Sequence, residues 1–254
     1  FFKQKTAYEI VDCDWSSDVC SSDLILERLP ATLLFTGSAF ALSLLMGITL
    51  GALAARRAGS WVDSGITVVA LLFYATPLYW LAMMAVLVFS VHLDWLPAFG
   101  YMTVGADLSG WARVGDTLSH LLLPAVTLAL FYMAVYARMT RASMREVAQM
   151  DFIKTARAKG VAPGRILRAH VLRNALLPVV TLAGIQAGSM IGGAVLTETV
   201  FAWPGIGRLM FDALLQRDYN LLLGCFLVTA AMAVLFNLLT DLVYTLVDPR
   251  IELQ

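Results

Sequence analysis

Five stretches of the chain carry no Asp, Glu, Lys or Arg: residues 33–55, 64–91, 121–137, 175–197 and 219–240. Each is close to or above the roughly 17–25 residues that a helix needs to cross the hydrocarbon of a bilayer. One such stretch is compatible with a buried helix of a soluble domain. Five predict an all-α, polytopic membrane protein with five spans. Charged positions collect in the connections, most of all over residues 138–173. There Arg138, Arg141, Arg145, Lys154, Arg157, Lys159, Arg165, Arg168 and Arg173 face only Glu146 and Asp151.

That charge orders the spans. Lys and Arg near span ends resist translocation, so 138–173 is expected on the cytoplasmic side. Alternation then puts the Arg56-Arg57 turn on the same side. The connection 92–120, with three Asp and one Arg, falls outside, and the C-terminus falls inside. The connection 198–218 is mixed in charge and also external. This leaves the start of the first span outside with no preceding signal, which a missing first helix explains.

Within the spans, Gly184, Gly188 and Gly192 repeat at four-residue spacing, as do Gly47 and Gly51. Such stripes permit close helix approach, here expected within the chain rather than at a dimer face. Pro77 lies inside the second span and predicts a kink or a freed carbonyl. Pro124 and Pro178 are expected in the first turns of their spans, where proline is tolerated.

Composition agrees: 59% of the 254 residues are hydrophobic and 14% charged, with a mean hydropathy of +0.76. The net charge of zero conceals an uneven distribution. Residues 1–24 hold two Lys and five acids, leaving 16 basic against 13 acidic residues over 25–254. The leader 1–24 has no helical or strand periodicity and no signal-peptide organisation. It resembles translated adaptor read-through, a sequencing or assembly artefact, so the transmembrane domain is taken as 25–254. Cys13, Cys20 and Cys225 outline no disulfide framework or metal site.

No Gly-x-x-x-x-Gly-Lys-Ser/Thr loop occurs, so nucleotide hydrolysis by that route is not expected of this chain. No Ser/His/Asp set or metal-ligand spacing stands out, and catalytic, cofactor and metal residues are expected to be absent. His92, His120 and His170 are scattered over three connections and are read as surface or interfacial residues. The basic connection itself is patterned. Residues 142–159 are compatible with a helix carrying Met144, Val147, Ala148, Phe152 and Thr155 toward one side. Gly160 breaks it, and Pro163 opens a second short helix through Arg168 or beyond. Gly160 suits a tight turn and close backbone approach. Two readings stay open on the residues alone: a protrusion seated in a groove of another protein, or a basic amphipathic surface on anionic membrane lipid.

At these residues the chain resembles a known family. TARAKG (155–160) followed by RILRAHVLRNALLPVVT (165–181) is similar to the cytoplasmic coupling loop of ABC-transporter permeases, specifically the B-type permease of the dipeptide, oligopeptide and nickel importer branch. PATLLFTGSAF, VHLDWLPAFGY, ETVFAWPGIGRLMFDALLQRDY and DLVYTLVDPRI resemble the same branch, in order, over residues 30–251. Three departures are visible. Lys154, Thr155 and Ala156 stand where the general permease loop has Glu-Ala-Ala, Leu177-Pro178 comes later than that loop's Leu-Pro, as in the peptide branch, and the first membrane helix and much of the external segment of the branch are absent.

The resemblance implies a type I ABC importer permease (MetI-like) fold in the bacterial inner membrane, with a coupling loop at about 138–175. Ala156, Arg157, Lys159, Gly160, Pro163 and Arg165 are then expected at the ATPase contact. Its implied partners are a second permease subunit, two ATP-binding cassette ATPases and an extracytoplasmic solute-binding protein; nucleic acid is not among them. The implied cargo is peptides or a related solute such as a nickel chelate or glutathione. Gln186, Ser189 and Glu198 are candidates for the translocation path, Glu198 as gate or simple boundary. Asn237 and Asp241, one turn apart in the last span, are read as interfacial or ion-paired. Other function classes are an ion-coupled secondary transporter and a non-transporting membrane scaffold. The first asks for ionisable residues near mid-membrane, and the five uncharged stretches supply none.

Overall fold

The computed structural model describes the backbone of residues 13–14, 19–106 and 108–247, and side chains over 22–106, 108–190 and 194–239. Apart from a pair of two-residue antiparallel strands, β1 (Cys13–Asp14) and β2 (Val19–Cys20), the regular elements among the described residues are helices. These are α1 (Ser21–Arg56), α2 (Trp61–Ala75), α3 (Leu78–His92), α4 (Trp111–Val147), α5 (Asp151–Ala158), α6 (Pro163–Ala175), α7 (Leu177–Val200), α8 (Ile206–Gln216) and α9 (Tyr219–Val247). Ser22–Arg56, Trp111–Val147 and Tyr219–Leu239 are each long and apolar enough to cross a membrane. Two broken pairs, α2 with α3 and α6 with the first part of α7, bring the number to five if each pair is one span.

Local chemistry explains several ends. Ser60 caps α2 by accepting the Asp63 N–H, which satisfies one of the free donors of the first turn. At the other end Pro77 cannot donate the next helical bond and disfavours helix at Thr76, so α2 stops at Ala75. The expected kink is therefore a break. Pro163 stands at the first position of α6, where its missing N–H costs nothing.

Two expectations about helix extent are corrected. Helix α4 starts ten residues before the uncharged stretch 121–137 and ends ten after it, so Pro124 is internal rather than in the first turn. The stretch alone could not reveal this, because Trp111–His120 and Arg138–Val147 are polar enough to read as connections. Residues 198–218, read as a loop, contain α8, whose Ile206, Met210 and Ala213 are buried at helical spacing.

The chain forms two compact units. One comprises Phe40–Pro77, Ala129–Ala187 and Phe236–Gln254. In it Gly47 and Gly51 face α4. A methyl group on Gly47 would lie 2.5 Å from the Tyr136 Cβ, and one on Gly51 would lie 2.5 Å from the Ala137 carbonyl oxygen. For this pair the glycine stripe is packing within the chain. The other unit comprises Phe1–Ala39, Leu78–Leu128 and Gly188–Leu235. At its centre Trp203 is fully buried, donating Nε1–H to the Ala31 carbonyl at 2.9 Å and packing on Phe35 and Tyr101.

Candidate functional site

The basic segment is built as a helix–turn–helix resting on its own small core. Helix α4 ends at Val147, the chain turns over 148–150, and α5 runs to Ala158. Gly160 then takes φ +75°. The Val161 N–H reaches back to the Ala156 carbonyl (3.2 Å) and the Gly160 N–H to the Arg157 carbonyl (3.0 Å). This is the Schellman arrangement, with a left-handed residue closing a helix and an apolar contact between its flanks. Ala156 and Val161 both pack onto a core of Met144, Val147, Ile153, Ile166, Val171 and Ala175.

The consequence is a presented surface. Arg157, Lys159, Gly160, Pro163 and Arg165 are exposed, while Ala156 is half-buried beneath them. Arg157 and Pro163 border a cavity of about 310 Å³ floored by Ile166 and Leu167. Two expectations change in detail. The helix over 142–159 is interrupted at 148–150, so Phe152 and Thr155 rotate outward and Ile153 takes the buried position. Gly160 takes a positive φ, and no atom of this chain comes within 4 Å of where its Cβ would be, so within the chain it is the turn rather than close approach that calls for glycine. As expected, α6 runs through Arg168 and beyond, to Ala175, with a π-helical stretch at Ile166–Leu172.

Helix α4 ties this segment to α2. Arg141 donates from Nε and Nη2 to the two carboxylate oxygens of Asp63, the second bond at 2.7 Å. The Gly59 N–H supplies a third donor to Asp63 at 3.0 Å. One turn earlier the Arg138 guanidinium lies 4.8 Å from the centroid of the Tyr74 ring, which stacks on Phe131. Asp63 escaped the sequence reading because it sits singly at the edge of an uncharged stretch. The one available signal was its spacing from Ser60, a cap residue followed three positions later by an acid.

A second polar cluster lies in the other unit. Glu198 is fully buried near the end of α7, accepting the Thr32 hydroxyl at 2.8 Å and the Arg208 N–H at 3.1 Å. Thr32 in turn accepts the Ile206 N–H at 2.8 Å. Backbone donors in the first turn of α8 are thus satisfied by side chains distant in sequence. Gly205 and Gly207 let this turn lie against α7. A Cβ on Gly205 would overlap the Glu198 carboxylate, and one on Gly207 would lie 2.6 Å from the Val195 Cα.

The remaining candidates are dispersed. Gln186 is half-buried and Ser189 exposed on α7, and Asn237 is exposed on α9; the side chain of Asp241 lies outside the described residues. His120 is buried, with Nδ1 2.9 Å from the Asp116 carbonyl, which corrects the first half of its reading as a surface or interfacial residue.

Residues 47–253 match the family described as binding-protein-dependent transport system inner membrane component. The oligopeptide transport system permease protein AppB of Bacillus subtilis (strain 168) is 42% identical over 231 residues, 91% of this chain and 72% of that protein. The di/tripeptide transport system permease protein DppB of Pseudomonas aeruginosa (strain UCBPP-PA14) is 40% identical over 243 residues, 90% of this chain and 72% of that protein. Among solved structures, a chain of the inward-facing MetNI methionine ABC transporter aligns with a TM-score of 0.70 at 19% identity, covering 89% of this chain and 96% of that one. A chain of an amino acid ABC transporter aligns with a TM-score of 0.62 at 17% identity, covering 94% and 100%. At such identities the likeness concerns the fold alone.

Proposed function

The chain belongs to the family of binding-protein-dependent transport system inner membrane components, and from that membership we propose that it is a permease subunit of an ATP-driven importer for peptides. The observation that carries this reading is the docking surface of residues 156–165. A left-handed glycine turn presents Arg157, Lys159 and Arg165 on a self-packed apolar base, which suits contact with a partner's acidic groove. The kinship to oligopeptide and di/tripeptide permeases supports peptides as the cargo.

In this account the chain binds no nucleotide. Two ATP-binding cassette subunits hydrolyse ATP, and their closure moves the docked segment. A second permease completes the path, and an extracytoplasmic binding protein delivers the solute. The basic segment and the C-terminus face the cytoplasm, and connection 92–120 faces outward. Gln186 and Ser189 are assigned to the path, and Glu198 to its outer end, where it holds the 201–217 segment in place. Transport follows from coupling: binding of the partners shifts a pre-existing balance of inward- and outward-open arrangements by their different affinities for the two.

Proteoliposomes containing this subunit, the second permease, the ATPases and the binding protein test the reading. Accumulation of a labelled tripeptide that requires ATP and the binding protein supports it. Accumulation driven by an ion gradient without ATP contradicts it and favours a secondary transporter.

A further inference from the structure

We propose that the Asp63–Arg141 ion pair is the positioning contact through which displacement of the 148–175 segment reaches membrane helix α2. The proposal rests on the coupling reading above and names residues that neither the sequence patterns nor the family kinship assigned. Arg141 stands on α4 just before Met144 and Val147, which form part of the core under the docking surface. Anything that moves that core moves the last turns of α4. The question is what passes the movement on.

Apolar helix contacts fix distance well but resist sliding poorly. A bidentate guanidinium–carboxylate pair fixes direction as well, since two parallel bonds hold one relative orientation. Asp63 is suited to receive such a force. Its side chain is 5% exposed against 30% for Arg141. It sits in the first turn of α2, with Ser60 and Gly59 bonded around it. Movement of Arg141 therefore acts on a carboxylate that is part of the α2 cap. The Tyr74–Phe131 stack and Arg138 hold the rest of α2 alongside α4 in antiparallel sense. The other ion pairs among the described residues join positions three or four apart and link nothing between elements.

The test uses the complete complex in lipid nanodiscs and reads ATP hydrolysis with and without binding protein purified carrying its own ligand. For Asp63→Asn we expect ATPase co-purification and unstimulated hydrolysis as in the unaltered complex. Stimulation by the binding protein should fall by at least about fivefold, the lower end of ordinary coupling between sites. The charge-exchanged double variant, Asp63→Arg with Arg141→Asp, should recover at least about half of the stimulation, which shows that the pair rather than either residue alone carries it; unchanged co-purification and unstimulated hydrolysis in Asp63→Asn are what a merely stabilising role does not produce. A fall of less than about fivefold in Asp63→Asn overturns the proposal. If Asp63→Asn is not recovered in the membrane, the double variant decides alone: stimulation supports the pair as a transmitter, and an assembled complex without stimulation overturns it. Gly160→Val in parallel separates this from the wider reading, because loss of stimulation there with none in Asp63→Asn leaves coupling intact and removes only this pair.

Discussion

The Thr32 hydroxyl donates to the Glu198 carboxylate over 2.8 Å and accepts the Ile206 N–H over the same distance, so one side chain of α1 closes both a buried acid and the first turn of α8. Replacing it with an apolar isostere orphans a donor and weakens the solvation of a carboxylate. Thr32→Val is expected to destabilise the detergent-solubilised protein by about 1–3 kcal/mol for each orphaned partner. Thr32→Ser, which keeps the hydroxyl, should lose less than about half as much. Thermal unfolding monitored by tryptophan fluorescence measures both.

Gly205 and Gly207 should rank in a definite order. A methyl group at Gly205 meets the tip of the Glu198 side chain, whereas one at Gly207 meets the Val195 Cα. Backbone yields less readily than a side chain. Both alanine variants are overpacked, at a cost of about 1–3 kcal/mol, with Gly207→Ala the worse. Protease susceptibility of the 201–217 segment in membranes reads the difference.

The two glycines of the basic segment should behave in opposite ways. Gly160 has φ +75° and open space around it, whereas Gly164 lies in a helix with equally open space. Gly160→Ala is expected to cost about 1–2 kcal/mol of local stability through the left-handed conformation alone, and Gly160→Asn less. Gly164→Ala should be neutral or stabilising by up to about 1 kcal/mol. Hydrogen exchange of the Arg157 to Arg165 amides compares them directly.

Gly51 tests the packing of α1 on α4. Its Cβ would meet both the Ala137 carbonyl oxygen and the Thr140 Cβ, the latter at 2.7 Å. Gly51→Leu should reduce recovery of folded protein to a minor fraction, and Gly37→Ala, with nothing within 4 Å, should leave it unchanged. Size-exclusion profiles after solubilisation distinguish the outcomes.

Much of the fold was legible in the sequence because bilayer crossing imposes a length and an absence of charge that few other structures share. The glycine turn and the proline start of α6 were legible too, since each residue type has one dominant backbone role. What escaped was of two kinds. Helix ends beyond the uncharged stretches, as in α4, carry polar residues and look like connections. Long-range polar partners, such as Thr32 with Glu198 and Asp63 with Arg141, are separated by 166 and 78 positions and leave no local pattern. Helix α8 lies between these cases: its buried Ile206, Met210 and Ala213 gave a helical period, but one too short to stand out beside the spans.

Residues 156–165 are proposed to meet the ATPase on the cytoplasmic side. Photo-crosslinking from a reactive residue placed at Lys159, in the assembled complex, tests that contact most directly. Covalent capture of the ATPase, with binding-protein capture only from a matching residue at Thr103, exposed in the outward connection 92–120, is the predicted result. Capture of the binding protein from Lys159, or lipid adducts alone in a complex that still hydrolyses ATP and transports, would contradict it.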